Sequence, residues 1–204
     1  MRLALVFTCL LGLSGCSFEL RPVQYDRDVS YQTGQTGSLQ LVSYSEGKSL
    51  DQLFDIGREN GSVKYSTAGV SSGQVNFDVL DERIFAESLA SELTRKGLVN
   101  INKVSEQIDT SKYLSVQLVF TKVVFDHGFG PDFQIEAALH LKTPNNEVRK
   151  LYKTSTFEND SFWDRMNTDG QEAKGLVAQN LMNKIIPDVE TFLQLDAAGA
   201  KKSL

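Results

Sequence analysis

The clearest structural signal in the chain is the stretch FQIEAALHLK at residues 133–142. Its apolar residues occupy every second position, from Phe133 through Ile135, Ala137 and Leu139 to Leu141. This period of two predicts a β-strand with one buried face and one face in water. The histidine at position 140 falls on the polar face, so the pattern predicts a surface side chain there.

The strand predicted before it, at residues 113–125, shows the same alternation with one irregularity. The apolar positions run in phase up to Phe120 and then shift by one residue to Val123 and Phe125. Because a shift of one residue exchanges the two faces of a strand, the sequence predicts a β-bulge near Thr121. The loop DHGFGPD at 126–132 predicts a hairpin, and a third strand is predicted at 148–157.

Two amphipathic helices are predicted, and the first is the clearer. Asp78 is its candidate N-cap, because a carboxylate can accept a free backbone N–H there. Phe85, Leu89 and Leu93 recur at intervals of four and form one apolar stripe. Gly97 follows the last basic turn and predicts the end of the helix.

The second helix is predicted to begin near residue 168. Either Thr168 with Gln171 or Asp169 with Glu172 has the spacing of a capping box. Apolar residues then keep helical spacing up to position 192. Pro187 lies within this run, so a kink or a break is expected there.

These elements, with a further strand predicted at 39–44, indicate an α+β fold. Strands and helices that are apolar on one side bury those sides against each other. The predicted fold is a two-layer sandwich in which a mostly antiparallel β-meander packs on the two amphipathic helices. The predicted single domain covers residues 39–195, preceded by a flexible tether at 16–38 and followed by a loose tail at 196–204.

The N-terminus predicts export. Arg2 precedes an apolar run at 3–13, which is too short for the roughly 20 residues that span a bilayer. The run ends in Leu-Ser-Gly-Cys at 13–16, which resembles a bacterial lipobox. The resemblance implies a signal peptide at 1–15 and lipid attachment to Cys16, and Ser17 after the cysteine implies export to the outer membrane. The alternative is a soluble secreted protein with a chance cysteine.

Net charge and cysteine content argue against nucleic-acid binding and against sites built from cysteine. The 204 residues have a formal net charge of −5, whereas a nucleic-acid-binding protein usually has a basic surface. No nucleic-acid partner is therefore expected. Cys9 lies in the predicted signal peptide and Cys16 is the only other cysteine, so neither a disulfide nor a thiolate zinc site is predicted.

No catalytic motif was identified in the sequence. The spacings of zinc proteases, nucleophile elbows, P-loops and dinucleotide sites are missing. His127 lies beside Asp126, with Asp132 nearby, and a hydrolase using this histidine is the weakest hypothesis. A solvated turn explains these residues more simply. We therefore expect no enzymatic activity, no cofactor and no metal.

Three residues are candidate contacts for a partner: His127, Phe129 and Trp163. The first two lie in the hairpin loop, where an exposed aromatic side chain often marks a binding surface. Trp163 is the sole tryptophan and precedes the last helix. The alternative for Trp163 is an apolar plug under the start of that helix.

These features together resemble a known family. The similarity rests on the lipobox, on FxxxLxxxL at 85–93 with RKG at 95–97, on YLSV at 113–116, on FQIEA at 133–137 and on the final helix. The family that these residues resemble is the YajG-type family of uncharacterised envelope lipoproteins. The element order is also similar to lipopolysaccharide-assembly lipoproteins and to auxiliary lipoproteins of lipid-transport ABC systems.

The resemblance implies a non-enzymatic, lipid-anchored envelope protein. We expect a scaffold or accessory subunit that is held in the outer membrane, faces the periplasm and binds an envelope protein not identified by the sequence. The alternative is a carrier of a lipid or another hydrophobic ligand, which needs a cavity between sheet and helices.

Overall fold

The computed structural model describes residues 28–42, 65–68, 82–105, 107–126, 132–158 and 162–200. The strands are β1 Gly37–Leu41, β2 Tyr65–Ala68, β3 Val104–Ser105, β4 Leu114–Asp126, β5 Asp132–Lys142 and β6 Glu147–Ser155. The helices are α1 Glu82–Arg95, α2 Phe162–Asn167 and α3 Gly170–Ala200. Within these ranges, no helix has both the length and the apolar character that a membrane span requires.

The strands form one sheet in the order β3-β1-β4-β5-β6. β4, β5 and β6 are an antiparallel meander, and the register of β4 on β5 shifts between Phe120 and Lys122. The predicted bulge near Thr121 is thereby confirmed. β1 and β2 both add parallel to β4, at its first and second halves respectively. The parallel pairing was not predicted, but the α+β class and the mostly antiparallel sheet are confirmed.

The helices α1 and α3 cover one face of this sheet, which confirms the two-layer arrangement. Leu89 of α1 and Ile135 of β5 are both fully buried in the same apolar core. The rings of Phe85 and Phe120 meet in this core at a centroid distance of 5.4 Å. The stripe read from the sequence is therefore the face with which α1 packs on the sheet.

The end of α1 is a Schellman motif. Gly97 has a positive φ of 69°, which a glycine adopts without steric strain. The backbone N–H of Gly97 donates to the carbonyl of Thr94, and that of Leu98 donates to the carbonyl of Leu93, each at 3.0 Å. These two bonds satisfy carbonyls that the helix end would leave open. The predicted stop at Gly97 is confirmed.

The start of α3 matches one of the two predicted caps. The Oδ1 of Asp169 accepts the backbone N–H of Glu172 at 2.8 Å. Pro187 does not break the helix, since α3 continues from Gly170 to Ala200. A proline inside a helix costs about 3 kcal/mol, and the buried side chains of Ile186 and Val189 on either side of it pack into the core. Of the kink or break expected at Pro187, the break was wrong, and the core packing of these two side chains helps to offset the local penalty.

The chain binds to the folded body at residues that were predicted to belong to a flexible tether. Residues 28–36 already run along the folded body, and Thr33 donates its N–H to Gly97 O and its hydroxyl to Leu98 O. Ser30 donates to Glu190 of α3 at 2.6 Å through its hydroxyl. The interpretation of 28–38 as a flexible tether is therefore wrong, because these bonds hold the segment against α1 and α3. Residues 16–27 lie outside the described ranges.

The first residues of the predicted loose tail are part of a helix. The helix α3 includes residues 196–200, and the side chain of Asp196 is completely buried. A short charged sequence suggested a free end, but this carboxylate is held by hydrogen bonds described below. Residues 201–204 lie outside the described ranges.

Candidate functional site

The residues that the sequence singled out are mostly beyond the described part of the chain. Cys16, His127 and Phe129 lie outside it, so the lipidation site and the two hairpin contacts stay predictions. The backbone of Trp163 belongs to α2, but its side chain is outside the described residues. The surface features below were therefore found from the structure alone.

A groove of about 330 Å³ lies between the end of α3 and the strands β5 and β6; we call it the β6–α3 groove. The residues that line it are Leu139, Leu141, Asn146, Glu147, Val148, Lys150, Tyr152, Asp188, Thr191, Phe192 and Leu195. Its volume is at the lower end of the range of about 300–1,000 Å³ that is typical of small-molecule sites.

The groove has an apolar floor, and each of its two walls presents one exposed apolar side chain. Leu139, Leu141 and Phe192 are buried, whereas Val148 on β6 is 40% exposed and Leu195 on α3 is 65% exposed. Leu195 is among the most exposed large apolar side chains in the described part of the chain. An exposed apolar pair beside a concave surface is a common feature of binding sites.

One end of the groove carries an ion pair. Lys150 Nζ lies 2.5 Å from Asp188 Oδ2, and the hydroxyl of Tyr152 donates to the same oxygen at 2.7 Å. Burial, together with the hydrogen bond to the Asp188 carboxylate, raises the pKa of Tyr152 far above its ordinary value. The phenol is thus a permanent donor, and this end of the groove is polar but internally paired.

A buried carboxylate, Asp196, directly follows the groove residue Leu195 on α3. The Oδ1 of Asp196 accepts the hydroxyl of Thr143 at 2.6 Å and the amide of Asn146 at 2.7 Å, and its Oδ2 accepts the hydroxyl of Tyr113. Burial alone would raise the pKa of Asp196. The hydrogen bonds from Thr143, Tyr113 and Asn146 outweigh that effect, and the pKa lies below its usual range. This cluster ties the end of α3 to the β5–β6 turn and to the residue before β4.

The sheet face opposite the helices carries a row of polar side chains. Gln40, Gln117 and His140 are register partners on β1, β4 and β5. The amide nitrogen of Gln117 lies 2.7 Å from Gln40 Oε1, Gln117 Oε1 lies 2.6 Å from His140 Nδ1, and Glu147 Oε1 lies 2.9 Å from His140 Nε2. The prediction of a surface His140 was wrong. The side chain is only 6% exposed and belongs to this hydrogen-bonded row.

A second, larger depression of about 660 Å³ lies beside α1 and residues 101–104. It is open to solvent, and three of its four charged lining residues are already in ion pairs: Arg83 with Glu87, and Arg95 with Glu92. The described residues contain no group of three or more His, Cys, Asp or Glu side chains that would hold a metal ion. The β6–α3 groove is therefore the stronger candidate for binding.

Comparisons with known proteins give only similarity of fold. No family model and no curated protein matches the sequence. Among solved structures, protein XCC0632 from Xanthomonas campestris, described as DUF330, aligns with a TM-score of 0.43 at 11% identity, over 80% of this chain and 90% of that chain. The hypothetical protein CT253 from Chlamydia trachomatis aligns with a TM-score of 0.41 at 12% identity, over 78% of this chain and 98% of that chain.

An uncharacterized protein aligns similarly, with a TM-score of 0.40 at 12% identity, over 76% of this chain and 94% of that chain. At these identities and TM-scores, the three structures assign neither a family nor a function to this chain.

Proposed function

We propose that the protein is a non-enzymatic, lipid-anchored accessory protein of the bacterial envelope, held in the outer membrane, facing the periplasm, and acting by binding an envelope protein. The observation that carries this proposal is the sequence Leu-Ser-Gly-Cys at 13–16, directly after Arg2 and a short apolar run. That order is typical of an export signal. The thiol of Cys16 is the group that the resemblance to a lipobox assigns to the lipid.

The length of the linker supports a role close to the membrane. Residues 28–36 are bonded to the folded body, so only the chain between Cys16 and Asp28 connects the body to the lipid. At about 3.3–3.6 Å per residue, a linker of this length reaches about 40 Å at most. The near side of the folded body therefore stays within about 40 Å of the membrane that holds the lipid.

The described ionisable groups support a binding role over a catalytic one. The groups with the most strongly raised pKa values, Tyr113 and Tyr152, are each held by a buried or half-buried carboxylate of α3. Both pairs connect the helix to the sheet, which is a structural use of such groups. The Lys150 ammonium at the groove is likewise bound to Asp188.

The anchor is tested by metabolic labelling with a fatty acid in bacteria that express the full chain. Cys16→Ser should abolish the label, whereas Cys9→Ser is the matched control and should keep it, because that residue lies in the predicted signal peptide. Label that persists in Cys16→Ser would overturn the anchor.

The partner is tested by crosslinking in cells from a photoreactive residue placed at position 129. The same residue at the exposed position 103, beside α1, serves as the control. A discrete crosslinked protein obtained from 129 and not from 103 supports the accessory role. Equal or absent crosslinking from both positions counts against a partner at the hairpin.

A second function, binding of a hydrophobic ligand, is favoured by the β6–α3 groove. The layer between sheet and helices is filled by buried side chains in the described part of the chain, so the ligand would lie in the groove. Its apolar floor and the exposed Val148 and Leu195 suit an acyl chain. A fluorescent fatty acid should bind the protein and lose affinity in Leu195→Asp. Leu151→Asp is the control, since Leu151 is 43% exposed but lies outside the groove.

A further inference from the structure

Two exposed apolar side chains face each other across the β6–α3 groove. Val148 lies near the start of β6 and Leu195 near the end of α3, and both line the groove. Exposed apolar side chains beside an apolar concave surface are typical of a surface that contacts a partner or a membrane. The position of the N-terminal segment on the folded body decides between these two kinds of contact.

The chain that leads to the predicted lipid meets the body beside this groove. The N–H and the hydroxyl of Ser30 donate to Glu190 Oε1 at 2.8 and 2.6 Å, and Gln194 Nε2 lies 3.5 Å from Ser30 Oγ. Leu195 follows Gln194 directly and lies about 7.5 Å along the helix axis from Glu190, at 1.5 Å per residue. The segment that begins at residue 28 is therefore bound within about one and a half turns of the groove wall.

Other bonds place the same segment and the groove at one end of the sandwich. Asp196 on α3 accepts hydrogen bonds from Thr143 and Asn146 of the β5–β6 turn. The backbone N–H of Tyr113, just before β4, donates to the carbonyl of Thr36 at 3.0 Å. The end of α3, the β5–β6 turn and residues 30–36 thus meet at this end; we call it the anchor end.

We propose that the anchor end lies on the phospholipid surface of the membrane that holds the protein, with Val148 and Leu195 inserted at the boundary between headgroups and acyl chains. The inference rests on the proposed lipid on Cys16. The chain from Cys16 to Asp28 reaches about 40 Å at most, and it joins the body at this end. Because the lipid already holds the body at the membrane, the contact is intramolecular, and a small apolar surface is sufficient.

The charges around the groove suit an uncharged lipid surface. Glu147 Oε2 lies 3.6 Å from Lys142 Nζ, and Glu147 Oε1 lies 3.1 Å from Arg149 Nη2. Lys150 Nζ lies 2.5 Å from Asp188 Oδ2. Paired charges cost less to bring toward acyl chains than isolated ones. The contact therefore depends on the apolar side chains and not on anionic headgroups.

The contact is tested by electron paramagnetic resonance on the full, lipidated chain in phosphatidylcholine vesicles. Cys9 leaves with the predicted signal peptide and Cys16 carries the proposed lipid, so a single introduced cysteine takes the nitroxide label. Labels at Leu195→Cys and Val148→Cys should collide more with oxygen, which concentrates among acyl chains, than with a water-soluble nickel chelate. Adding phosphatidylglycerol to the vesicles should leave this ratio unchanged.

Met166→Cys is the matched control, because Met166 is also a large exposed apolar residue but precedes the start of α3. The distance along α3 from Gly170 to Leu195 is about 38 Å. The label at 166 should therefore collide mainly with the nickel chelate. An equal excess of oxygen at 166 and 195 would overturn the proposed orientation.

Three further results would overturn the inference. The first is a protein that floats with the vesicles while its label at 195 collides mainly with the nickel chelate. The second is a label at 195 that is shielded from both reagents, since a second copy or a protein partner would then cover the groove. The third is an excess of oxygen that appears only with phosphatidylglycerol. A protein that does not float with the vesicles would instead overturn the lipid anchor, and this inference with it.

Discussion

Replacing Asp196 by alanine should destabilise the fold strongly, although only eight residues of the sequence follow it. The carboxylate is fully buried and accepts hydrogen bonds from Thr143, Asn146 and Tyr113. A hydrogen bond to a charged group contributes about 1.5–3 kcal/mol, and part of the sum is offset by the cost of burying the charge. Alanine leaves these neutral donors without their acceptor, and a buried polar group left unsatisfied costs about 1–3 kcal/mol, so we expect a loss of at least about 2 kcal/mol.

The assay is urea unfolding of the domain without its signal peptide, followed by circular dichroism, with a shift of the midpoint at an unchanged slope. Tyr113→Phe removes one of the donors to Asp196 and should cost about 1–2 kcal/mol. Leu195→Ala is the control next to Asp196 in sequence, because a largely exposed side chain contributes within about 0.5 kcal/mol. A loss below about 0.5 kcal/mol in Asp196→Ala would mean that residues 196–200 are a loose tail after all.

The same carboxylate makes a prediction about pH. The folded-state pKa of Asp196 is depressed, so its contribution is fully present above the unfolded value of about 3.9 and is lost as the pH falls through the lower folded value. The difference in stability between wild type and Asp196→Asn should therefore be constant near neutrality and shrink below about pH 4. A difference that grows in acid would show that the folded pKa is raised.

Three further substitutions test other parts of the account. Leu89→Ala should cost about 2–5 kcal/mol in urea unfolding, since the side chain is fully buried between α1 and the sheet; a cost below about 0.5 kcal/mol would place it on the surface. Gly97→Ala should cost more than Gly34→Ala in the same assay, because both glycines have a positive φ but only a Cβ at 97 meets a neighbour, Gln32, at 2.9 Å. Equal costs would show that backbone strain alone matters. Phe129→Ser should leave the melting temperature nearly unchanged and weaken crosslinking to the partner; a drop in stability of several kcal/mol would show that Phe129 belongs to the core.

The β4–β5 hairpin shows what the sequence could predict. A strand with one buried face repeats its apolar residues every second position, and the break in this pattern at Thr121 located the bulge. The stripe of α1 and its Gly97 stop were equally local signals. In these cases the residues that decide the structure are neighbours in sequence, so their pattern is sufficient.

Features that depend on distant partners were not predictable in this way. The parallel pairing of β1 with β4 joins residues far apart in the chain, and alternation within β1 does not specify its neighbour. His140 has the position of a surface residue in its own strand, yet contacts from β4 and β6 enclose it. The burial of Asp196 was unpredictable for the same reason, because the donors Thr143, Asn146 and Tyr113 lie 50 or more positions earlier in the chain.

The groove was missed for a related reason. Val148 and Leu195 are ordinary apolar residues within their elements, and nothing in either segment shows that they stay exposed. Their exposure depends on how α3 packs beside β5 and β6, which only the tertiary structure defines.

Intact-mass and N-terminal fragment analysis of the full chain, purified from bacterial membranes, tests the central proposal most directly. We expect a mature protein that begins at Cys16 and carries the added mass of thioether-linked diacylglycerol on that residue. A mature chain that begins at any other residue, or that begins at Cys16 with an unmodified thiol, would contradict a lipid-anchored protein.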